Sequence, residues 1–431
     1  MTEGNNQQYQ LTIEPRSNHN VSRRQISEAA LKVLYRLNKA GFRACLVGGG
    51  VRDVLLGKQP KDFDVATSAT PEQVNALFKN CRLIGRRFRL AHIRYGREVI
   101  EVATFRSHAP ESPKTELNNE GRILRDNTFG NIEEDALRRD FTVNALYYDI
   151  NDYALLDYAN GLQDMENKTL RLIGDPVTRY KEDPVRMLRA VRFAAKLGFV
   201  IEQEAEQAIF DWGHLLKDIP SARLYDEILK IFHSGYAVKA YELLRDYQLF
   251  QFLFPQLDIY LKSEPAESIL DFIEQALVNT DKRVAQDQPV SPAFIFAVLL
   301  WPLVHQKAIQ LQADKISTLP ALQIAGSEVF SQQVKTIAVP KRFSQISKNI
   351  WSMQPRFSNT RGKQPHRLAS HPNFRAAYDF FCIQSMVGLT TFQLCEWWTQ
   401  FQIDNPIEKP AHRKPGHRPR RHRNAVTKSP E

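Results

Sequence analysis

Only four of the 431 residues are cysteines, Cys45, Cys81, Cys382 and Cys395, and none stands in a C-x-x-C or Cys/His ligand spacing. A structural zinc site is not expected; the four read as buried free thiols in a reducing compartment, and the chain as cytoplasmic. No uncharged apolar run reaches about 18 residues, so no bilayer span is expected. The first residues, MTEGNNQQYQ, lack the apolar stretch of a secretory signal. Self-similarity at a period of roughly 20–50 residues is missing too, which excludes a solenoid. What is present is ordinary for a globular chain, 43% hydrophobic and 25% charged, and excludes disorder as the main state. At about 150 residues per domain, two or three domains are expected.

The formal charge is +10 and unevenly placed. Residues 405–431 hold eight Lys/Arg against Glu408 and Glu431, a net +6, which leaves 50 − 46 = +4 elsewhere. A polyanion partner is suggested, mostly by this basic tail, in which Pro, His, Lys and Arg leave no core.

Residues 1–22 are polar and aperiodic and read as a disordered tail. Ile26, Ala29, Ala30, Val33, Leu34, Leu37 and Ala40 then recur at helical spacing, with Gly41 placed to end the helix. Ala44–Val47 reads as a strand entering Gly48-Gly49-Gly50 and a short helix, Val51 to Leu56. Lys61–Ala66 reads as a second strand, and Thr70-Pro71 as a helix start. Further strands are expected at Arg82–Ile84, Leu90–Tyr95 and Val99–Phe105, with a mobile loop over 107–122. Pro184–Leu197 is a helix capped by Asp183 and closed by Gly198. Beyond it, helices are expected at Leu224–Phe232, Ala240–Leu253, Ile269–Val278 and Phe294–Val304. The class is α+β: a mixed region of about 150 residues, then an all-helical remainder.

The glycine triplet, between strand and helix, can present backbone N–H groups to a phosphate. It fits neither G-x-G-x-x-G, because Asp53 stands at the last glycine, nor a P-loop, because Arg52 precedes Gly57-Lys58-Gln59 at the first. Alone it reads as a tight turn. Asp62-Phe63-Asp64 changes the balance. On a strand, i and i+2 share a face, and two carboxylates so close repel unless a cation lies between them. The pair suits Mg²⁺, two ions in a two-metal site, against the bland reading of a solvated strand face. Glu101, inside an apolar strand, is either a third carboxylate or half of an internal salt bridge with an arginine. Arg138-Arg139-Asp140 could hold a triphosphate or ribose, or could be a capping acid with two surface arginines. In Glu182–Arg192, Arg186, Arg189, Arg192 and Lys196 share one helix face with a single nearby acid. That leaves uncompensated charge, which favours a nucleotide partner over a solvated, salt-bridged face.

Together these runs resemble the class II nucleotidyltransferases, which include bacterial poly(A) polymerases and CCA-adding enzymes. LVGGGVRDVLLG with KDFDVAT (Leu46–Thr67), EEDALRRDFTVNALYYD (Glu133–Asp149), DYANGLQD (Asp157–Asp164) and EDPVRMLRAVRFAAKLGF (Glu182–Phe199) are similar to that family's motifs, in its order. Leu83-Ile84-Gly85-Arg86-Arg87-Phe88-Arg89-Leu90-Ala91-His92-Ile93 resembles the run that marks poly(A) polymerases. Pro340–Phe343 and Leu368–Tyr378 resemble the arginine-rich C-terminal domain of the bacterial ones. No adjacent His-Asp pair marks a phosphohydrolase module.

The resemblance implies a small mixed-sheet head, similar to the DNA polymerase beta superfamily, followed by an elongated helical neck and body. Implied limits are head 23–172, neck 173–265, body 266–404 and tail 405–431. It implies template-independent addition of AMP, from ATP, to RNA 3′ ends of mRNA and other RNAs, with CCA addition to tRNA as the alternative. Asp62 and Asp64 would hold two Mg²⁺, with Asp140 a further catalytic acid. Gly49 and Arg52 would contact the triphosphate, Arg139 the ribose or phosphate, and Asp183 and Arg186 the base, with Arg189 beside them.

Overall fold

The computed structural model describes residues 9–85, 89–107, 115–117, 123–126, 129–263 and 266–406. It divides into two compact units, Met1–Lys348 and Asn349–Glu431. The basic run 407–431 and Arg86-Arg87-Phe88 lie outside the described residues, so the expectations placed on them are not addressed by the fold.

In chain order the strands are β1 (Thr12–Glu14), β2 (Ala44–Val47), β3 (Asp64–Thr67), β4 (Cys81–Ile84), β5 (Leu90–Tyr95), β6 (Glu98–Thr104), β7 (Thr115–Leu117), β8 (Ile123–Asp126), β9 (Leu146–Asp149), β10 (Leu155–Asp157), β11 (Thr169–Leu170) and β12 (Val200–Ile201). Eight of them form one mixed sheet in the order β1-β10-β9-β2-β3-β6-β5-β4, with β3 and β6 parallel. The first helices are α1 (Glu28–Lys39), α2 (Gly49–Leu55), α3 (Pro71–Leu77), α4 (Ile132–Leu137), α5 (Gly161–Glu166), α6 (Pro176–Glu182) and α7 (Val185–Leu197). After β12 every described element is helical.

Strand alternation builds two cores. Leu46, Val65 and Val102 join Val33, Leu34 and Leu37 of α1, whereas Cys45, Val47 and Ala66 join Ile132, Ala136, Tyr147 and Leu156. Local rules hold where the pattern was clear. Gly41 at φ +85° follows α1, Thr70 and Gln73 form a capping box with Pro71 first in α3, and Gly198 at φ +70° ends α7.

Several expectations are corrected. Residues 9–22 are not a loose tail: β1 pairs antiparallel with β10, and Val21 is buried. The alternating Thr12–Glu14 run is too short to stand out by periodicity, but it caps an open sheet edge. Within 107–122 the described Thr115–Leu117 pairs with β8 as a hairpin. The second strand starts at Asp64, so Asp62 lies just before it. The helix expected over Ala240–Leu253 is two, Ala237–Asp246 and Phe250–Leu253, broken where Gln248 takes φ +55°. Cys382 and Cys395 are not free: they form a disulfide between helices Phe374–Met386 and Phe392–Asp404, whose short connection brings their Cα atoms to 5.4 Å. Cys45 and Cys81 remain unpaired. Among the described residues one helix, Pro292–Ala313, is long and apolar enough by length and composition to cross a membrane. Most of it is core instead: Ile295, Phe296, Leu299, Leu300 and Val304 are at most 1% exposed.

Candidate active site

The site begins where β2 runs into the glycine triplet. Gly48 takes φ +73°, a conformation that side chains disfavour, and its carbonyl accepts the first helical bond of α2 from the Arg52 N–H. Space is tight at Gly50. A Cβ there would lie 3.2 Å from the Phe63 ring and 3.3 Å from the Asp62 carbonyl oxygen, so the missing side chain is what lets the carboxylate segment lie against α2. The first N–H groups of α2, from Gly49 onward, have no intrahelical acceptor and are available to an anion.

Asp64 pairs in register with Glu101 of β6, and both project from the face that carries Ala66. Although Asp64 keeps an exposed surface, desolvation by the protein packed around it, then the charges of Glu101 and Asp62, push its carboxyl up to about 6, against the opposing pull of Arg139. Glu101 finds its partner in His92 of β5, with Nε2–Oε1 3.1 Å, and not in an arginine. Among the described residues no three His, Cys, Asp or Glu side chains form a ready metal cage. The donor chemistry still fits a hard cation. Clustered carboxylates, with Asp64 of raised proton affinity among them, gain from a positive charge, and Mg²⁺ completes its shell with water and phosphate oxygens.

Arg139, Asp140, Asp183, Arg186 and Arg189 line one cavity of about 270 Å³. Five residues expected at the site, drawn from two motifs, thus meet in space. Arg139 joins the two halves: its Nη1 is 3.6 Å from the Cβ position of Gly48, and its charge reaches Asp64. Asp135 and Tyr147 hold it, at 2.9 Å each.

Asp140 does not face Asp62 and Asp64 with a free carboxylate. It accepts from Arg189 Nε at 2.6 Å, from the Phe141 N–H at 2.9 Å and from Asn144 Nδ2 at 3.4 Å. Burial alone would raise its carboxyl; Arg189, then the Asn144 bond, overcome this and bring it down to about 2. Arg52 is likewise committed inward. It is 2% exposed, bonds Asp53 Oδ1 through Nε (2.9 Å) and Nη2 (2.6 Å), donates to Asn144 Oδ1, and lies over Phe193. Asp183 accepts from Arg223, and Arg186 donates to the Arg179 carbonyl and to Glu182.

Contrary to expectation, the cations of α7 are not uncompensated, although three of the acids that meet them are shared with Arg179, Lys230 and Arg52. Arg186 pairs with Glu182, Arg189 with Asp140, Arg192 with Glu227 and Lys196 with Asp53. Glu182 lies one turn before Arg186, but Asp140, Glu227 and Asp53 come from distant segments, so tertiary folding supplies pairing that the helix's own neighbourhood lacks.

Three further groups support the site: Arg179, which carried no signal of its own, and Asp157 and Asp164, the two ends of the DYANGLQD run. Arg179 donates through Nη2 to the carbonyls of both Arg138 and Arg139 at 2.7 Å, fixing the chain just before Asp140. Asp157 accepts from the N–H groups of Ala159, Gly161 and Leu162, and Asp164 from the Thr142 hydroxyl and Arg171. The D-x-x-x-G-x-x-D run is therefore scaffolding under the Thr142–Asn144 turn. Gly161 packs directly on it: a Cβ would sit 2.8 Å from the Thr142 carbonyl carbon and nearer still to its oxygen.

The Poly A polymerase head domain family matches residues 44–171, the family described as probable RNA and SrmB-binding site of polymerase A matches 198–261, and that described as polymerase A arginine-rich C-terminus matches 314–428. The chain is 48% identical to poly(A) polymerase I of Escherichia coli O6:H1 over 96% of its own length and 92% of the relative's, and 46% identical to that of Haemophilus influenzae over 92% and 89%. A CCA-adding enzyme of Lactobacillus helveticus is 40% identical over only 51% of this chain and 53% of the relative. Among solved structures, the Bacillus stearothermophilus CCA-adding enzyme in complex with CTP superposes with a TM-score of 0.62 at 25% identity, covering 90% of this chain and 84% of that one. A head that matches the polymerase profile, near full-length identity of almost one half, and a cavity built from two of the motifs lead to one assignment: the chain belongs to the bacterial poly(A) polymerase family of nucleotidyltransferases.

Proposed function

We propose that the chain adds adenylate to RNA 3′ ends without a template, transferring AMP from ATP to the 3′-hydroxyl. The bond from that oxygen to the α-phosphorus forms as the α–β bond breaks; the hydroxyl proton is lost and pyrophosphate leaves. The observation that carries the site reading is Arg139, which touches the glycine turn, acts on Asp64 and lines the cavity with Asp183 and Arg186.

In this reading Asp62 and Asp64 would hold two Mg²⁺, with Glu101 placed to assist. Bound there, the ions would supply charge neutralisation for the triphosphate. The α2 turn, from Gly49, receives phosphate oxygens through backbone N–H groups, and Arg139 faces the same group. Asp140, ionised by Arg189, offers acceptor oxygens to a ribose hydroxyl. Asp183 and Arg186 present an acceptor and a donor to the base edge. Arg52 acts from behind α2. Residues 23–172, 173–265 and 266–404 serve as head, neck and RNA-binding body, the tail 405–431 adds backbone affinity, and the enzyme works in the cytoplasm on mRNA and other RNAs.

Extension with each nucleotide separately tests this. A-tracts on unrelated RNA support it, while C, C, then A confined to tRNA supports CCA addition instead. Asp62→Ala or Asp64→Ala with full incorporation would overturn the metal-site assignment. Arg186→Ala should lower selection of ATP over CTP more than RNA affinity, and the reverse would overturn its role.

A further inference from the structure

A closed chain of polar contacts ties the turn helix α2 to the base-facing helix α7. Lys196 bonds Asp53 Oδ2 at 2.9 Å, Asp53 Oδ1 holds Arg52, Arg52 donates to Asn144, Asn144 Nδ2 reaches Asp140 at 3.4 Å, and Asp140 returns to α7 through Arg189. Phe193 fills the middle of this ring. The guanidinium carbons of Arg52, Arg189 and Arg192 lie 5.2, 5.5 and 4.4 Å from its centroid, and Phe141 meets it edge-on at 5.6 Å.

One aromatic ring among three guanidiniums is more than surface packing requires, because each cation within about 6 Å of the face gains from the ring quadrupole. Asn144 is 7% exposed and bonds both the α2 half of the ring, at Arg52, and the cavity half, at Asp140. Its two functions differ by atom: Oδ1 accepts from Arg52, and Nδ2 donates to Asp140. Neither Asn144 nor Phe193 lines the cavity.

We propose that Asn144 and Phe193 are positioning residues for nucleotidyl transfer, fixing the spacing between the triphosphate-facing turn and the base-facing cavity. The inference rests on the site reading above. A nucleotide bound at both ends needs them held at one separation, since misplacement by about 1 Å can cost on the order of 100-fold in rate. The ring supplies such a constraint without touching the nucleotide. Its loss therefore affects kcat and the KM for ATP while leaving the RNA-binding body unchanged.

The test uses the full chain, with ATP and an oligoadenylate primer. Asn144→Ala should lower kcat by about 10- to 100-fold, with KM for primer within about twofold. Phe193→Leu, which keeps apolar bulk without the ring face, should show the same split, and Phe193→Tyr, which restores the face, should recover most of kcat. Thermal unfolding is followed for each variant. A folded Asn144→Ala or Phe193→Leu enzyme with kcat within about twofold of the parent overturns the proposal. So does failure of both variants to fold, because the ring would then serve stability rather than position. Asp64→Ala run alongside separates the two ideas. If it is inactive while Asn144→Ala is fully active, the positioning role alone fails; if Asp64→Ala is active, the site reading fails first.

Discussion

Replacing Arg189 by Met removes the guanidinium from Asp140 and keeps most of the apolar stem. The carboxyl has an ordinary value of 3.8 and stands at about 2 in the folded chain. That difference corresponds to about 2 kcal/mol of folding free energy at neutral pH. The Asp140 side chain is 11% exposed and that of Arg189 32%, so solvent screening trims the figure only slightly. Against this, the variant strands a buried carboxylate, which keeps the expected loss at about 2–3 kcal/mol. The sign over pH follows from a depressed carboxyl: the contribution is fully present above about pH 5 and fades as pH falls toward the folded value. The difference in stability between parent and variant should therefore be largest near pH 7 and shrink to about half by pH 3. Urea unfolding followed by tryptophan fluorescence, repeated at several pH values, measures it. A loss below about 0.5 kcal/mol at pH 7, or one that does not change between pH 7 and 3, would refute the reasoning.

Gly161→Ala should destabilise the chain by about 1–3 kcal/mol, because the obstacle is the Thr142 backbone and not a mobile side-chain end. Thermal unfolding reads this, and an unshifted midpoint would contradict the packing. Asp64, with its carboxyl raised to about 6, is more easily protonated in the folded chain than when unfolded. Its ionisation therefore costs stability above pH 6 and is relieved below it, and Asp64→Asn should remove this slope from a pH–stability curve measured without Mg²⁺. The KM for RNA should rise steeply between about 50 and 200 mM salt while the ATP-over-CTP preference stays level. Parallel changes in both would mean that one set of charges performs both tasks.

Elements whose signals are local were readable from the chain alone. The α1 stripe, the Thr70-Pro71 start and the Gly198 stop each depend on residues within one or two turns, and each appears as expected. The five cavity residues were also identifiable, because their motifs carry unusual juxtapositions of arginine and acid. What escaped was whatever depends on distant partners. Glu227 neutralises Arg192, and Asp53 neutralises Lys196, from segments that no spacing rule connects with α7. The family resemblance implied Arg52 as a triphosphate contact, yet Asp53 and Asn144 draw it inward to 2% exposure. Asp62 was placed on a strand by alternation, but pairing begins only where Asp64 meets Val47 of β2. The pairing of Cys382 with Cys395 depends on two helices folding back on each other.

The compensated helix changes what the charge of the chain can mean. If the cations of α7 were free, any polyanion would be drawn to them and nucleotide choice would compete with RNA binding. Each instead is paired, although Glu182, Glu227 and Asp53 also hold Arg179, Lys230 and Arg52, so the cations meet a triphosphate as oriented groups and not as a free, mobile patch. Asp140 and Asp183 are held by Arg189 and Arg223 with known orientation and so can act as fixed acceptors. That is the arrangement a site needs to distinguish donors and acceptors on a base and a ribose, because discrimination comes from dipoles that do not rearrange when the ligand arrives. The surplus of +6 in residues 405–431 lies apart from this helix in sequence and carries no such order in its composition, which suits it to backbone phosphates in any sequence context. On the proposed function, recruitment of RNA and choice of nucleotide would draw on different charges, one a surplus in the sequence of the tail and one paired within the fold.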